Sequence, residues 1–336
     1  MFRSFRRKAM YAFIVVLVLS LAAGTAFAQY TLKTLVKNSG KKGDKQLINP
    51  WGLAYGPSEY FWFSDQGTGL STLYDGNGVK QSLVVTIPPA NGTGIGSPTG
   101  IVYNGGAQFQ IMHWTSAFIF ATLDGLICGW SHFEPNNALI GVSNPGAVYT
   151  GLAINQANNQ IYAADFANNK IDVYDGTFKF VKSFGDSAIP AGYAAFNVQD
   201  IGGQLYVAYA LQNGKKGGYI DIFSESGTLV KTLVAKSKQL NQPWGFAMAP
   251  ANFGVFSNAL LVSNNVNAGT VVAFDPNTGS FLGTLSTSAG KKLVLGGAWG
   301  IEFGGGDPQN GATNALYWVG GPKDDSAGVY GVITAN

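Results

Sequence analysis

NPWGLAY, at Asn49–Tyr55, is the stretch of sequence that decides the fold, because variants of it return along the whole chain. The variants are PTGIVY (Pro98–Tyr103), TGLAI (Thr150–Ile154), FNVQDI (Phe196–Ile201), PWGFAM (Pro243–Met248) and WGIEF (Trp299–Phe303). Their matched positions, Gly52, Gly100, Gly151, Val198, Gly245 and Gly300, are 48, 51, 47, 47 and 55 residues apart. A repeat of this length is typical of a propeller or a solenoid.

Each repeat contains short apolar or alternating runs, separated by turns rich in Gly, Asn and Asp. In the first repeat these runs are Trp51–Tyr55, Phe61–Ser64, Leu70–Tyr74 and Ser82–Ile87. Such runs are strand and hairpin signals, so each repeat predicts a four-stranded antiparallel blade. No helical periodicity of sufficient length follows residue 28, and the sequence therefore predicts an all-β, six-bladed propeller.

The ends of the chain predict how the ring closes. The sixth repeat supplies three runs and then the chain stops, whereas YTLKTLVK at Tyr30–Lys37 resembles the fourth-strand run TLVKTLVA at Thr228–Ala235. We therefore expect the N-terminal strand to complete the last blade and to remove the open sheet edges. Residues 29–336 are predicted to form a single propeller domain.

The first 28 residues have the pattern of a signal peptide. Arg3, Arg6, Arg7 and Lys8 precede the apolar run Tyr11–Ala23, and Ala26-Phe27-Ala28 offers a cleavage site. The apolar run is short for a membrane span, which needs ~20 residues. The sequence predicts export to the periplasm or the extracellular space, with no membrane span in the mature chain.

Cleavage would change the charge of the protein. The signal contains four of the 21 basic residues and no acid, which leaves 17 lysines (21 − 4) against 18 acids. No basic surface that could bind nucleic acid is then expected. The mature protein is predicted to be a monomer whose partner is a small molecule, a glycan or an envelope protein.

The order of the motifs resembles that of a known family. NPWGLAY, SDQGTGLSTLYDGNG, SPTGIVYN, PWGFAMAP and NALYWVGGPKDD follow one another as in an uncharacterised family of exported bacterial six-bladed β-propeller proteins. That family is similar to the NHL-repeat and gluconolactonase-like propellers. The resemblance covers essentially all of the chain after residue 28, and it implies the fold and export without implying a reaction.

The residues before the matched positions form a candidate ligand-binding ring. They are Trp51, Thr99, Thr150, Asn197, Trp244 and Trp299. Tryptophan offers a flat face and one N–H donor, which suits a sugar or an aromatic ligand at the mouth of the channel. The alternative is that these tryptophans pack between neighbouring blades, where the glycines permit a close approach.

A second candidate is a calcium site. Asp65, Asp165 and Asn264 follow the second strands of their repeats and offer the oxygen ligands that calcium prefers. The alternative is that they are turn residues whose side chains bond nearby backbone N–H groups.

Three functions remain open at this point. The sequence favours a non-catalytic binding or scaffolding module that uses the channel mouth, because no catalytic constellation is evident. The second hypothesis is a calcium-assisted lactonase or hydrolase of the gluconolactonase-like type, which would use Asp65, Asp165 and Asn264. The third is a cell-envelope assembly protein that acts through its blade edges.

Overall fold

The computed structural model describes residues 29–41 and 43–336, and these form six four-stranded antiparallel sheets. We number the sheets as blades 1 to 6 in chain order. Blade 1 contains β2 (Pro50–Ala54), β3 (Phe61–Asp65), β4 (Leu70–Tyr74) and β5 (Lys80–Thr86). Blade 2 contains β6 (Pro98–Tyr103), β9 (Phe118–Thr122), β10 (Leu126–Trp130) and β11 (Leu139–Ser143), with the hairpin β7 (Gln110–Ile111) and β8 (Trp114–Thr115) inserted. Blade 3 contains β12 (Tyr149–Ile154), β13 (Gln160–Asp165), β14 (Lys170–Asp175) and β15 (Phe180–Phe184).

The second half of the chain repeats this order. Blade 4 contains β16 (Tyr193–Ile201), β17 (Gln204–Leu211), β18 (Gly218–Ser224) and β19 (Leu229–Val234). Blade 5 contains β20 (Pro243–Met248), β21 (Leu260–Asn264), β22 (Val271–Phe274) and β23 (Phe281–Thr284), with a 3-10 helix at Gly254–Phe256. Blade 6 contains β24 (Ala298–Phe303), β25 (Ala315–Gly320), β26 (Val329–Ala335) and β1 (Tyr30–Lys37). The predicted six-bladed, all-β fold is confirmed.

The N-terminal strand closes the ring as expected. β1 pairs antiparallel with β26, from Tyr30 opposite Ala335 to Lys37 opposite Val329. The Tyr30 hydroxyl also donates a hydrogen bond of 2.8 Å to the carbonyl of Phe253, which belongs to blade 5. The two ends of the chain are therefore joined within one blade and fastened to the next.

Six apolar clusters lie between consecutive blades and form the core. Because both faces of a blade pack on neighbours, its second and third strands are buried on both sides, as in β3 and β10. The outermost strands are more exposed, as in β15. This explains why the inner strands read as continuous apolar runs rather than as alternating ones.

The marker glycines let the inner strands of neighbouring blades touch. A Cβ atom added to Gly52 would lie 2.6 Å from the carbonyl oxygen of Thr99, and one on Gly100 would lie 2.4 Å from the backbone nitrogen of Leu152. Both distances are shorter than any real contact of a Cβ atom. The repeat of glycine therefore follows from the close approach of six strands around one axis.

The predicted signal peptide, residues 1–28, lies outside the described residues. Within residues 29–41 and 43–336, no helix has the length and apolar character needed to cross a membrane.

Candidate functional site

Three tryptophans meet on the propeller axis and close one end of the channel. The rings of Trp51 and Trp299 stack with centroids 3.6 Å apart, and Trp244 meets both edge-on at 6.3 and 5.8 Å. Phe196 packs against Trp51 and Trp299. All four side chains are buried. We call this group the axial plug.

Hydrogen bonds of the indole N–H groups hold the axial plug in place. Trp244 Nε1 donates to the carbonyl oxygen of Thr150 at 2.8 Å, which links blade 5 to blade 3 across the axis. Trp299 Nε1 donates to Asn49 Oδ1 at 2.9 Å, which links blade 6 to blade 1. The tryptophans therefore pack on one another rather than separately between neighbouring blades.

The polar members of the predicted ring bond to the backbone. Thr99 Oγ1 donates to the carbonyl of Tyr149 at 2.7 Å, and Asn197 Nδ2 donates to the carbonyl of Trp244 at 2.8 Å. Each of these bonds joins one blade to the next. Thr150 Oγ1 bonds within its own blade, to the carbonyl of Ala164 at 3.4 Å. Most of the ring thus makes hydrogen bonds or stacking contacts within the protein, and its role in ligand binding remains a prediction.

The three predicted calcium ligands are not brought together. Asp65, Asp165 and Asn264 end the second strands of three alternate blades. Each is bonded locally: Asp65 Oδ2 accepts from Thr72, Asp165 Oδ2 from Asn168, and Asn264 Oδ1 from the backbone of Asn241. These are the contacts of turn residues, the alternative that the sequence left open, and a calcium site at the three side chains remains a prediction. No group of three or more His, Cys, Asp or Glu residues suited to a metal occurs in the described part of the chain.

An axial cavity of about 290 Å³ begins where the axial plug ends. Asn197 and Trp244 border the cavity at the plug, and its wall runs along the inner strands to Tyr55 and Tyr103 at their carboxyl ends. Much of the wall is backbone or apolar, because glycine and branched side chains recur at these positions. The apolar side chains in the wall are Leu53, Ala54, Ile101, Val102, Leu152, Ile154, Val198 and Ile301.

Glu302 places a carboxyl group in the wall of this cavity. Its side chain makes no hydrogen bond or ion pair with any residue in 29–41 or 43–336. Burial raises the pKa of Glu302 to about 8 from an ordinary value of 4.5. A carboxyl group with this pKa is mostly protonated at neutral pH, and it can either donate a hydrogen bond or become charged beside a cation.

Two further polar residues of β16 border the cavity. The Gln199 Oε1 atom accepts a hydrogen bond of 3.3 Å from the backbone of Phe246. Asp200 Oδ1 accepts from the backbone of Gly203 at 3.0 Å. Burial and the nearby carboxylate of Glu225 raise the pKa of Asp200 to about 6. The carboxyl of Asp200 is thus held by its own turn through Oδ1, while its Oδ2 has no hydrogen-bond partner in the described part of the chain. Glu302 and Asp200 are the two acids that border the cavity.

Two residues of the predicted ring lie at this cavity: Asn197 and Trp244 border it, whereas Trp51, Thr99, Thr150 and Trp299 do not. Glu302 was not predicted, although a signal was present in the repeat. Two residues after the marker, the chain reads Ala54, Val102, Ala153, Asp200, Ala247 and Glu302. An acid at an inner-strand position that is otherwise mainly apolar was the clue.

The fold and the site define a six-bladed β-propeller with an axial plug and a small cavity beside it. The chain belongs to a family that includes two uncharacterized proteins of Acanthamoeba polyphaga mimivirus, R648 and L690. R648 is 31% identical over 293 residues, covering 79% of this chain and 70% of its own length. L690 is 32% identical over 283 residues, covering 77% and 74%. Both relatives are viral, whereas the resemblance in the sequence pointed to a bacterial family, and no family model matches the chain.

Solved structures of low sequence identity share the fold. A protein of unknown function from Bacteroides thetaiotaomicron matches with a TM-score of 0.59 and 10% identity, covering 90% of this chain and 76% of its own. Streptogramin B lyase matches with a TM-score of 0.56 and 12% identity, covering 93% and 99%. Hydrazine synthase of Kuenenia stuttgartiensis matches with a TM-score of 0.55 and 16% identity, covering 81% and 74%. These similarities show the fold alone.

Proposed function

We propose that this protein is a binding module that holds a small, positively charged molecule, such as a primary amine, in the axial cavity. The observation that carries the proposal is the carboxyl group of Glu302, which has no protein partner among the described residues and borders a cavity that Asp200 also borders. A volume of about 290 Å³ lies near the small end of ligand pockets, which span roughly 300–1,000 Å³. The fold suits binding or scaffolding, and the axial cavity is where the ligand would bind.

The charge of the ligand follows from the electrostatics of the wall. An ion pair that is partly shielded from water is stronger than the same pair in bulk water. A bound ammonium group would stabilise the ionised form of Glu302 and so lower its pKa. Because burial raises the pKa of the free carboxyl to about 8, binding near pH 7 is expected to release a proton.

Isothermal titration of small amines tests the proposal. We expect primary amines of three to six carbons to bind the wild type, and Glu302→Gln to weaken them at least 10-fold while leaving alcohols of equal size unaffected. The measured enthalpy should also vary with the ionisation enthalpy of the buffer, because a proton is released. Glu134→Gln is the matched control, since Glu134 does not border the cavity. Equal affinities of the wild type and Glu302→Gln for amines would refute the proposal, as would an absence of binding.

An acid–base enzyme is the second candidate function. A carboxyl group with a pKa of about 8 can act as a general acid near neutral pH, where such catalysts work best. This enzymatic hypothesis rests on Glu302 rather than on the calcium ligands Asp65, Asp165 and Asn264. Proton NMR of the same titration samples distinguishes it from binding, because turnover would give product signals with the wild type and none with Glu302→Gln.

We also propose that the protein is exported. The support is the basic start, the apolar run and the Ala26-Phe27-Ala28 site in the first 28 residues. When the full chain is expressed in a bacterium, the purified protein should begin at Gln29, as measured by intact mass. Ala26→Asp should block cleavage and leave the longer mass, because the site requires small residues. A wild-type protein that retains residues 1–28 would argue against export by cleavage.

A further inference from the structure

Buried acids in blades 1 and 3 lie beside a lysine. In blade 3, Asp172 is fully buried, and its Oδ1 lies 2.8 Å from Lys170 Nζ. Its oxygens also accept hydrogen bonds from Ser183 Oγ at 2.6 Å and from the Tyr149 hydroxyl at 2.9 Å. Both carboxylate oxygens therefore have partners, and the negative charge has a cation beside it.

Blade 1 uses the same chemistry with different residues. Asp44 lies 2.6 Å from Lys80 Nζ and accepts a hydrogen bond from the Tyr74 hydroxyl. The neighbouring Asp65 is fully buried; its Oδ2 accepts from Thr72 Oγ1 at 2.6 Å, and its Oδ1 has no hydrogen-bond partner in the described part of the chain. Burial raises the pKa of Asp65, and the nearby charge of Lys80 lowers it by a smaller amount. One lysine thus serves two nearby acids in this blade.

A second pair of acids, Asp221 in blade 4 and Asp186 in the connection that precedes it, has no such lysine among the described residues. Asp221 is on the third strand of its blade and is fully buried, as Asp172 is in blade 3. Neither Oδ1 nor Oδ2 of Asp221 has a hydrogen-bond partner in the described part of the chain, and the same is true of the Tyr209 hydroxyl beside it. Asp186, in the connection from blade 3, faces the same point. No ion pair involves either acid within 29–41 and 43–336.

The groups around Asp221 are all oxygen ligands. Thr232 lies opposite Asp221 on the neighbouring strand and is an exposed residue, whereas Asp221 itself is fully buried. Tyr209 lies on the other side, where β17 pairs with β18. Burial is the main cause that raises the pKa of Asp221 to about 6; the hydroxyl of Thr232 lowers the pKa, and the charge of Asp186 raises it. Asp186, Tyr209 and Asp221 are the titratable groups that influence one another here.

We infer that blade 4 binds a calcium ion between Asp221 and Asp186, in the position that a lysine serves in blades 1 and 3. A buried carboxylate without a partner is costly. Hard cations such as calcium prefer oxygen ligands, both charged carboxylates and neutral oxygen atoms. The hydroxyls of Tyr209 and Thr232 and solvent water complete the ligand set. Since Asp186 precedes blade 4 and Asp221 lies within it, the ion fastens the connection between blades 3 and 4.

The test compares thermal unfolding in chelator and in calcium for the wild type and Asp221→Asn. We expect calcium to raise the Tm of the wild type by several degrees and to leave Asp221→Asn unchanged. In chelator, Asp221→Asn should be at least as stable as the wild type, because the substitution removes one of two neighbouring acids that lack an ion pair. Titration calorimetry with calcium chloride should find one ion per wild-type chain and none for Asp221→Asn. Asp186→Asn should weaken calcium binding at least 10-fold.

Asp172→Asn is the matched control. It changes a buried acid that already has a lysine beside it, so its Tm should rise with calcium as much as that of the wild type. The inference is overturned if neither calcium nor magnesium nor sodium changes the Tm of the wild type. It is also overturned if Asp221→Asn responds to calcium as the wild type does. If the stability depended on pH between 4 and 7 but not on cations, Asp221 would be protonated rather than bound to a cation, and the inference would again be overturned. The amine titration uses a different site, so the two proposals fail independently.

Discussion

Replacing Trp299 by alanine is expected to lower the free energy of unfolding by about 3–5 kcal/mol, the range for removal of a large buried aromatic side chain. Trp299 is 2% exposed and stacks on Trp51 with ring centroids 3.6 Å apart. The substitution would open a cavity on the axis and leave Asn49 Oδ1 without its indole donor. Equilibrium unfolding in guanidinium chloride, followed by circular dichroism, measures the change.

The matched control is Trp114→Ala. Trp114 is 43% exposed and stacks on Phe133 at the surface of blade 2, so its loss should cost about 1 kcal/mol or less. Trp299→Phe should fall between the two variants, because it keeps an aromatic ring and removes the N–H donor. Equal destabilisation by Trp299→Ala and Trp114→Ala would show that the axial plug contributes no more than a surface contact.

Replacing Glu302 by glutamine is expected to remove a pH dependence of stability. The pKa of Glu302 is raised in the folded protein to about 8 from 4.5, so the folded state binds more protons than the unfolded state between these values. The contribution of Glu302 is therefore most favourable below pH 4.5 and is lost as pH rises toward 8, with a slope of up to ~1.4 kcal/mol per pH unit. Glutamine stays neutral and has no such slope.

Denaturant unfolding at pH 6, 7 and 8 tests this expectation. Relative to the wild type, Glu302→Gln should gain about 2 kcal/mol between pH 6 and pH 8. Asp200 and Asp221, whose pKa values are both raised to about 6, are present in both proteins and do not affect the difference. Parallel curves over this range would mean that Glu302 is hydrated and titrates near its ordinary value.

The positions of the blades could be read from the sequence because they depend on local patterns. The marker glycine returns wherever an inner strand touches the next one, as Gly52 and Gly100 do. The strands alternate with turns whose residues set the hairpins. The match between Tyr30–Lys37 and Thr228–Ala235 was enough to predict the closing strand.

The candidate site could be read only in part. The repeat places six residues at one level of the axis, but it does not say which of them face the same space. Asn197 and Trp244 border the cavity, while the rings of Trp51 and Trp299 stack on each other and do not border it. Asp65, Asp165 and Asn264 also occupy equivalent places, yet each bonds to groups near it, so equivalence in the repeat does not decide which side chains meet.

The sequence by itself determined the number of blades, the strand order and the closure, since each follows from repeats and turns within about fifty residues of chain. Only the tertiary structure decided that three indoles meet on the axis, that Glu302 is left without a partner, and that Asp186 lies beside Asp221. The physical reason is that these features depend on contacts between blades. Burial, pairing and pKa are set by side chains far apart in the chain, which no local pattern records.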